Sequence, residues 1–358
     1  MSQTNFPFDY ELPRHLVAQE PLGHRADARL MVVDRRKQQI EHYHVRDLPR
    51  LLAEGDRLVL NDTKVVPAQL AGRRATTGGR WQGLFIEATP DGHWRILCKT
   101  RGRLNPGEAI TLTDREGRPG AKLWLIERLD EGQWLAHLKS GESTDAILNR
   151  LGRVPLPPYI RGGNMVDADV ANYQTVYAER SGAIAAPTAG LHFTKELLKA
   201  LEARGTSYSR VTLHVGLGTF RPIESETWEE HRMHSESGEV TARAAAEFNR
   251  TRAEGGRIIA VGTTVVRLLE TAIRAEDSAE TVPAQCLKPW QGQTDLFIRP
   301  PFEFRAVSAL MTNFHFPRTT LLVLVQTFGG AELIAEAYRQ AIRDEYRFYS
   351  YGDAMLIV

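Results

Sequence analysis

A change of texture at residue 68 constrains this chain most. From there to residue 138, short β-type runs follow one another about every ten residues, divided by Gly, Asp and Pro. The runs are 83–88, 94–99, 109–113, 122–126 and 134–138. Such spacing predicts a small all-β barrel or sandwich. The flanking sequence reads differently. Leu48, Leu51 and Leu52 lie at helical spacing ahead of Gly55, and residues 57–60 form an apolar strand-like run. Thr194, Thr241 and Thr319 or Thr320 stand where helix N-caps belong, and Gly205 and Gly255 stand where helices stop. Strand–turn–helix units of this kind predict an α/β layer with a mainly parallel sheet and flanking helices. The expectation is therefore a discontinuous α/β domain, 1–66 and 146–358, with a β-barrel domain inserted at 67–145. A chain of 358 residues is long enough for two cores.

Composition narrows the class. Hydrophobic content of 42% and charged content of 25% belong to a soluble globular protein. The longest apolar candidate, 321–325, is far short of the roughly 18 residues of a membrane span. No signal peptide is expected, and two distant cysteines, Cys98 and Cys286, read as buried thiols of a cytosolic protein. Neither CxxC nor HExxH spacing occurs, so no metal is expected. A monomer is the expectation for the assembly. Net charge is only +1, but residues 68–125 hold ten basic and five acidic side chains. That excess is either a solvated strand surface or a patch for a phosphate backbone.

Three turns carry the chemistry. Ala185-Ala186-Pro187-Thr188-Ala189-Gly190-Leu191-His192-Phe193-Thr194 puts one His behind small residues and ahead of a helical pattern. Leu213-His214-Val215-Gly216-Leu217-Gly218-Thr219-Phe220 and Thr312-Asn313-Phe314-His315-Phe316-Pro317 repeat the grammar. All three follow apolar runs, so all three can fall on the carboxyl edge of one sheet, where α/β ligands bind. One composite site is the expectation. A lone His is more often a satisfied structural group, yet each is also a candidate acid, base or donor. Gly262-Thr263-Thr264 closes a strand and opens a helix, which makes either a polar-ligand site or a plain cap. No GxGxxG follows a strand, which argues against a nicotinamide-dependent oxidoreductase. A tRNA-binding module without catalysis would not need three His-bearing turns. The aromatic C-terminus, Tyr346 to Leu356, is either a packed strand or a wall for a base or a cation.

These residues, with Phe8-Asp9-Tyr10-Glu11-Leu12-Pro13, Asn61-Asp62-Thr63, Pro155-Leu156-Pro157-Pro158-Tyr159-Ile160, Tyr173-Gln174-Thr175-Val176-Tyr177-Ala178 and Met233-His234-Ser235-Glu236, form an ordered series over nearly the whole chain. The series resembles the S-adenosylmethionine:tRNA ribosyltransferase-isomerases of queuosine biosynthesis. The chain departs from the usual family pattern beside the motifs, at Ser181-Gly182-Ala183-Ile184, Pro300-Pro301-Phe302 and Gln326-Thr327. The resemblance implies an α/β domain with an inserted barrel. It implies S-adenosylmethionine as a consumed substrate and no metal or redox cofactor. The acceptor would be 7-aminomethyl-7-deazaguanine at the wobble position of a tRNA anticodon loop, and the product epoxyqueuosine-tRNA. On that reading His192, then His214 and His315, are the candidate catalytic groups. Asn61, Asp62, Thr188, Gly190, Gly216, Thr264, Asn313, Tyr351 and Asp353 are expected to hold the substrate. Arg73, Arg74, Arg101 and Arg103 are expected to hold the tRNA backbone.

Overall fold

The computed structural model describes residues 9–216, 231, 233–275 and 286–358. Phe8 and the Gly218-Thr219-Phe220 part of the second His-bearing turn lie outside the described residues. The chain divides into two units, Met1–Lys64 with Ala171–Val358, and Val65–Val170.

In chain order the strands are β1 (Arg29–Asp34), β2 (Gln39–His44), β3 (Arg57–Asn61) and β4 (Thr63–Val65). The insert supplies β5 (Gln69–Arg74), β6 (Arg80–Ala88), β7 (Trp94–Thr100), β8 (Ala109–Thr113), β9 (Pro119–Arg128) and β10 (Gln133–Leu138). There follow β11 (Arg180–Ala183), β12 (Ser207–Leu213), β13 (Glu236–Val240), β14 (Ile258–Val261), β15 (Trp290–Thr294), β16 (Ala309–Asn313) and β17 (Ala354–Ile357).

The large unit is built on a nine-stranded sheet in the order β15-β13-β12-β3-β14-β16-β17-β1-β2. Four adjacent strands, β12, β3, β14 and β16, are parallel. β17 is antiparallel to β16 and parallel to β1, while β2, β13 and β15 add antiparallel edges. The sheet is thus mixed, with its parallel pairs concentrated at the centre.

Side-chain alternation along the strands makes two cores, one on each face. Met31, Val33, Val59, Ile258 and Ala260 face one side, with Phe248, Leu268 and Phe328 from covering helices. Leu30, Val32, Leu58, Leu60, Ile259 and Val261 face the other, with Phe193, Leu197 and Leu201. β14 is buried at every position, as a strand covered on both faces must be. The helix caps expected from Thr194, Thr241 and Thr319 form, each hydroxyl accepting from an N–H three residues on. No single helix among the described residues is long and apolar enough to cross a membrane.

The insert is a closed six-stranded barrel, β10-β7-β6-β5-β8-β9, antiparallel throughout. Trp81, Trp94, Ile96, Ile110, Leu112, Leu123, Leu125 and Trp134 fill it. The unit is longer than the 67–145 read from texture. The helix Thr144–Leu151, most of which the expected boundary at residue 146 assigns to the α/β domain, packs Ile147, Leu148 and Leu151 into the barrel core instead. Cys98 and Cys286 are free thiols.

Candidate functional site

The four central strands bring their last residues to one edge of the sheet. His214 follows β12, and Asn61-Asp62-Thr63 closes β3. Gly262-Thr263-Thr264 follows β14, and Asn313-Phe314-His315 closes β16. Because β17 runs against β16, its entrance at Asp353 comes to the same edge. The short helix Thr188–His192 is tied there through Asn313.

A cavity opens at this edge, lined by Thr188, Gly262, Thr264, Asn313, His315 and Tyr349 among others. Its volume of about 40 Å³ holds only part of a nucleoside, so a larger ligand must extend beyond it. The helix Thr263–Arg274 starts on the cavity wall with no side-chain cap, presenting the positive end of its dipole. Gly262 sits at φ 97°, a conformation that side-chain-bearing residues avoid. Thr264 is therefore not the plain cap; its hydroxyl accepts at 3.4 Å from Asn61. Tyr349 holds φ 74° and lies 3.6 Å, centroid to centroid, from Phe316. A bulky residue in that backbone region is strained, and such strain concentrates at ligand sites.

The three imidazoles reach different cavities. His315 lines the one just described, with Nε2 2.8 Å from the Thr312 hydroxyl. Burial pushes its pKa down to about 3, so the ring is neutral at pH 7. His192 is buried behind Asn313 and lines a second, smaller cavity. Its Nε2 accepts from Asn313 Nδ2 at 3.1 Å, and the ring also bonds the Arg25 backbone. Burial, then the charges of Arg25 and Arg347, lower its pKa to about 4. The Asn313 amide is fixed by its neighbours: Oδ1 accepts from Thr188 Oγ1 at 2.8 Å, while Nδ2 faces two acceptors. His214 is only partly buried, bonds Thr63 Oγ1 through Nδ1 at 2.8 Å, and lines a third cavity beside Arg180 and Glu239. Its pKa is lowered by burial, against the pull of Asp62. The expected composite site is one sheet edge with three cavities.

Several expected substrate holders are committed to the protein itself. Asn61 bonds the Leu213 N–H and C=O and the Thr63 N–H. It stitches β3 to β12 at the edge. Asp62 accepts from Thr212 Oγ1 at 2.6 Å, and burial raises its pKa. Asp353 takes the N–H groups of Arg29 and Arg347, both at 2.8 Å, and the Arg29 Nε. Gly216 donates to buried Glu236, which pairs with Arg267. Gly190 is required by packing, since a Cβ there would lie 2.1 Å from the Tyr177 hydroxyl oxygen. Tyr351 is buried against Tyr173 and lines the second cavity.

On the barrel, Arg73, Arg80, Lys99 and Arg101 line a cavity of about 490 Å³. None of the four forms an ion pair among the described residues. Arg103 is exposed nearby in sequence. Arg74 departs from expectation: it pairs with buried Glu108 and donates to the carbonyls of Arg101 and Arg103. Its charge is neutralised, and it shapes the loop that carries the other two. Arg80 and Lys99, counted in the basic excess of residues 68–125 but not among the expected tRNA holders, are placed outward by alternation on β6 and β7. Sequence reasoning missed Arg25, for which no motif gave a signal. Among the described residues, no three His, Cys, Asp or Glu side chains converge as metal ligands.

A family model described as "Queuosine biosynthesis protein" matches residues 6–357. An S-adenosylmethionine:tRNA ribosyltransferase-isomerase of Symbiobacterium thermophilum is 47% identical over 352 residues, 98% of each chain. Proteins of the same name from Thermotoga petrophila and Cereibacter sphaeroides are 44% and 45% identical, each over 98% of both chains. A crystal structure of S-adenosylmethionine tRNA ribosyltransferase from Thermotoga maritima covers 99% of this chain and 100% of its own, at 35% identity and a TM-score of 0.55.

Proposed function

The chain belongs to the queuosine biosynthesis protein family, and from that membership we propose that it is an S-adenosylmethionine:tRNA ribosyltransferase-isomerase. It moves the ribosyl part of S-adenosylmethionine onto tRNA and isomerises it, releasing adenine and methionine. The observation that carries this is identity of 44–47% to enzymes of that name over 98% of both chains. The acceptor is the aminomethyl group of 7-aminomethyl-7-deazaguanine in the anticodon loop, and the product is epoxyqueuosine-tRNA. An unstacked loop base suits a site at a sheet edge with aromatic walls such as Tyr349.

The sulfonium acidifies the neighbouring ribose carbon and makes methionine a leaving group. A proton acceptor near that carbon starts the reaction, and a donor at adenine assists its departure. We assign this proton chemistry to His315 first. Its ring is neutral and lines the larger of the two cavities that share Ser350, with one nitrogen on Thr312. His192 holds Asn313, which with Thr188 and the uncapped helix start orients the nucleoside. His214 serves the neighbouring cavity. The barrel cations Arg73, Arg80, Lys99 and Arg101 take the stem phosphates. The reaction needs no resident metal or redox cofactor, and a cytosolic location follows from its tRNA substrate. The test is tRNA-dependent adenine release, followed chromatographically. Release that needs tRNA bearing the deazaguanine base supports the assignment, and its absence with that tRNA refutes it.

A further inference from the structure

On the far side of His192 from the substrate cavity lies a second, small cavity of about 20 Å³. Leu22, Arg25, Asn172, His192 and Tyr351 line it, and Ser350 lines both this cavity and the larger one. The two are therefore neighbours. No Asp or Glu is among the residues that line the small cavity.

One guanidinium, Arg25, lines the cavity, and a second, Arg347, lies outside the lining but acts on the same His192. Arg25 is half-buried and donates only to neutral carbonyls, Gln174 at 2.8 Å, Ala171 at 2.9 Å and Asn172 at 3.5 Å. It has no carboxylate partner among the described residues. Arg347 donates through Nη2 to the Glu20 carbonyl, and its Nη1 is buried without a hydrogen-bond partner. Both charges lie close enough to oppose protonation of His192. The nearby acid, Asp353, has its oxygens engaged by the Arg29 and Arg347 backbone N–H groups and the Arg29 Nε. Taking a cation out of water without a counter-charge is costly, and Arg25 on the wall of this small hole is half-buried with only carbonyl partners. A guanidinium fork left with unspent donors matches a carboxylate.

We propose that this cavity is a carboxylate subsite and that, on the functional reading above, it takes the methionyl carboxylate of S-adenosylmethionine. Its size separates this from a phosphate of the RNA chain. A phosphodiester continues in two directions, whereas about 20 Å³ admits a terminal group only. Arg25 on the cavity wall holds the carboxylate, the nearby charge of Arg347 favours it, the nucleoside lies past Ser350 in the larger cavity, and His192 with Asn313 forms the partition between them.

The experiment compares S-adenosylmethionine with its decarboxylated analogue, S-adenosyl-3-methylthiopropylamine, using the full chain and saturating tRNA. Wild type should favour the intact substrate by about tenfold to a hundredfold in kcat/KM, the span of a charge-assisted hydrogen bond. Arg25→Gln should bring the two substrates to within a few-fold of each other with the KM for tRNA unchanged, and Arg25→Lys should restore part of the preference. Arg347→Gln gives an independent reading should Arg25→Gln fail to fold. A folded Arg25→Gln or Arg347→Gln protein that keeps the full wild-type preference overturns the subsite. So does a variant that raises only the KM for tRNA. Should wild type release no adenine at all, the enzymatic reading fails, and calorimetric titration with the two sulfonium compounds still tests the subsite by itself.

Discussion

Asn313→Asp probes the hydrogen-bond hub of the site with almost no change of shape. In the wild type, Nδ2 of Asn313 faces two acceptors, His192 Nε2 at 3.1 Å and the Asp353 carbonyl at 3.4 Å. An aspartate puts a charged acceptor where that donor was. Losing both bonds should destabilise the protein at pH 8 by about 2–4 kcal/mol, at 1–2 kcal/mol each. The aspartate also reverses the pH behaviour of His192. In the wild type its pKa of about 4 lies below the ordinary 6.5. Below pH 6.5 the unfolded chain therefore binds a proton that the native ring refuses, and stability falls with acid. Over pH 7 to 5 this amounts to about 2 kcal/mol for His192. His315, at about 3, adds a similar loss. In the variant the carboxylate lifts the His192 pKa above 6.5. Its contribution is then fully present below pH 6.5 and lost as pH rises through the raised value. Urea unfolding of both proteins at pH 5, 6, 7 and 8 reads this directly. The variant should lose at least 2 kcal/mol less than wild type between pH 7 and 5. An equally steep acid loss in both proteins would show that Asn313 does not control the imidazole.

Other perturbations separate binding, packing and chemistry. Arg73→Gln with Arg101→Gln should lower the slope of log affinity for tRNA against log salt by about 0.7–0.9 for each phosphate that is no longer neutralised, with the melting temperature unchanged. Filter binding between 50 and 200 mM salt checks it, and an unchanged slope removes the barrel patch from the interface. Arg74→Gln should act on stability instead, lowering the melting temperature with the salt slope of tRNA binding unchanged, because Glu108 loses its ion-pair partner; an unchanged melting curve would contradict that. Gly190→Ala should cost about 1–3 kcal/mol, since its Cβ would lie 2.1 Å from the Tyr177 hydroxyl oxygen; a wild-type melting curve would contradict that. His315→Ala should lower kcat by about 10²–10⁴ while tRNA affinity stays put, and a wild-type kcat would take His315 out of the proton chemistry.

The sequence exposed the fold wherever one residue type has one physical use. Threonine caps at 194, 241 and 319 and the doubly buried run of β14 each became the element expected. β5 escaped because Gln69, Gly72, Arg73 and Arg74 carry no apolar period, and its pairing comes from neighbours on both sides. The helix at Thr144–Leu151 falls across the boundary read from texture, because its three apolar side chains fit either core. The site divides in the same way. Motif position brought Thr188, Thr264, Asn313 and His315 to one cavity, because topology sends the ends of parallel strands to one edge. What motif position could not tell was which polar groups are already spent. Asn61, Asp353 and Arg74 look like ligands in sequence, and their partners, Leu213, Arg29 and Glu108, lie far away along the chain. Arg25 shows the converse: an ordinary surface arginine in sequence, it is half-buried beside His192 with only carbonyls for company.

The central claim is that the ribosyl carbons leave S-adenosylmethionine and end on tRNA. Incubation with S-adenosylmethionine labelled in the ribose, and tRNA carrying 7-aminomethyl-7-deazaguanine, tests it without intermediaries. The label should become acid-precipitable with the tRNA, one equivalent for each adenine released, and digestion should return it on the modified deazaguanosine. Label that stays with a small-molecule product, or that reaches tRNA lacking the deazaguanine base equally well, would contradict the account.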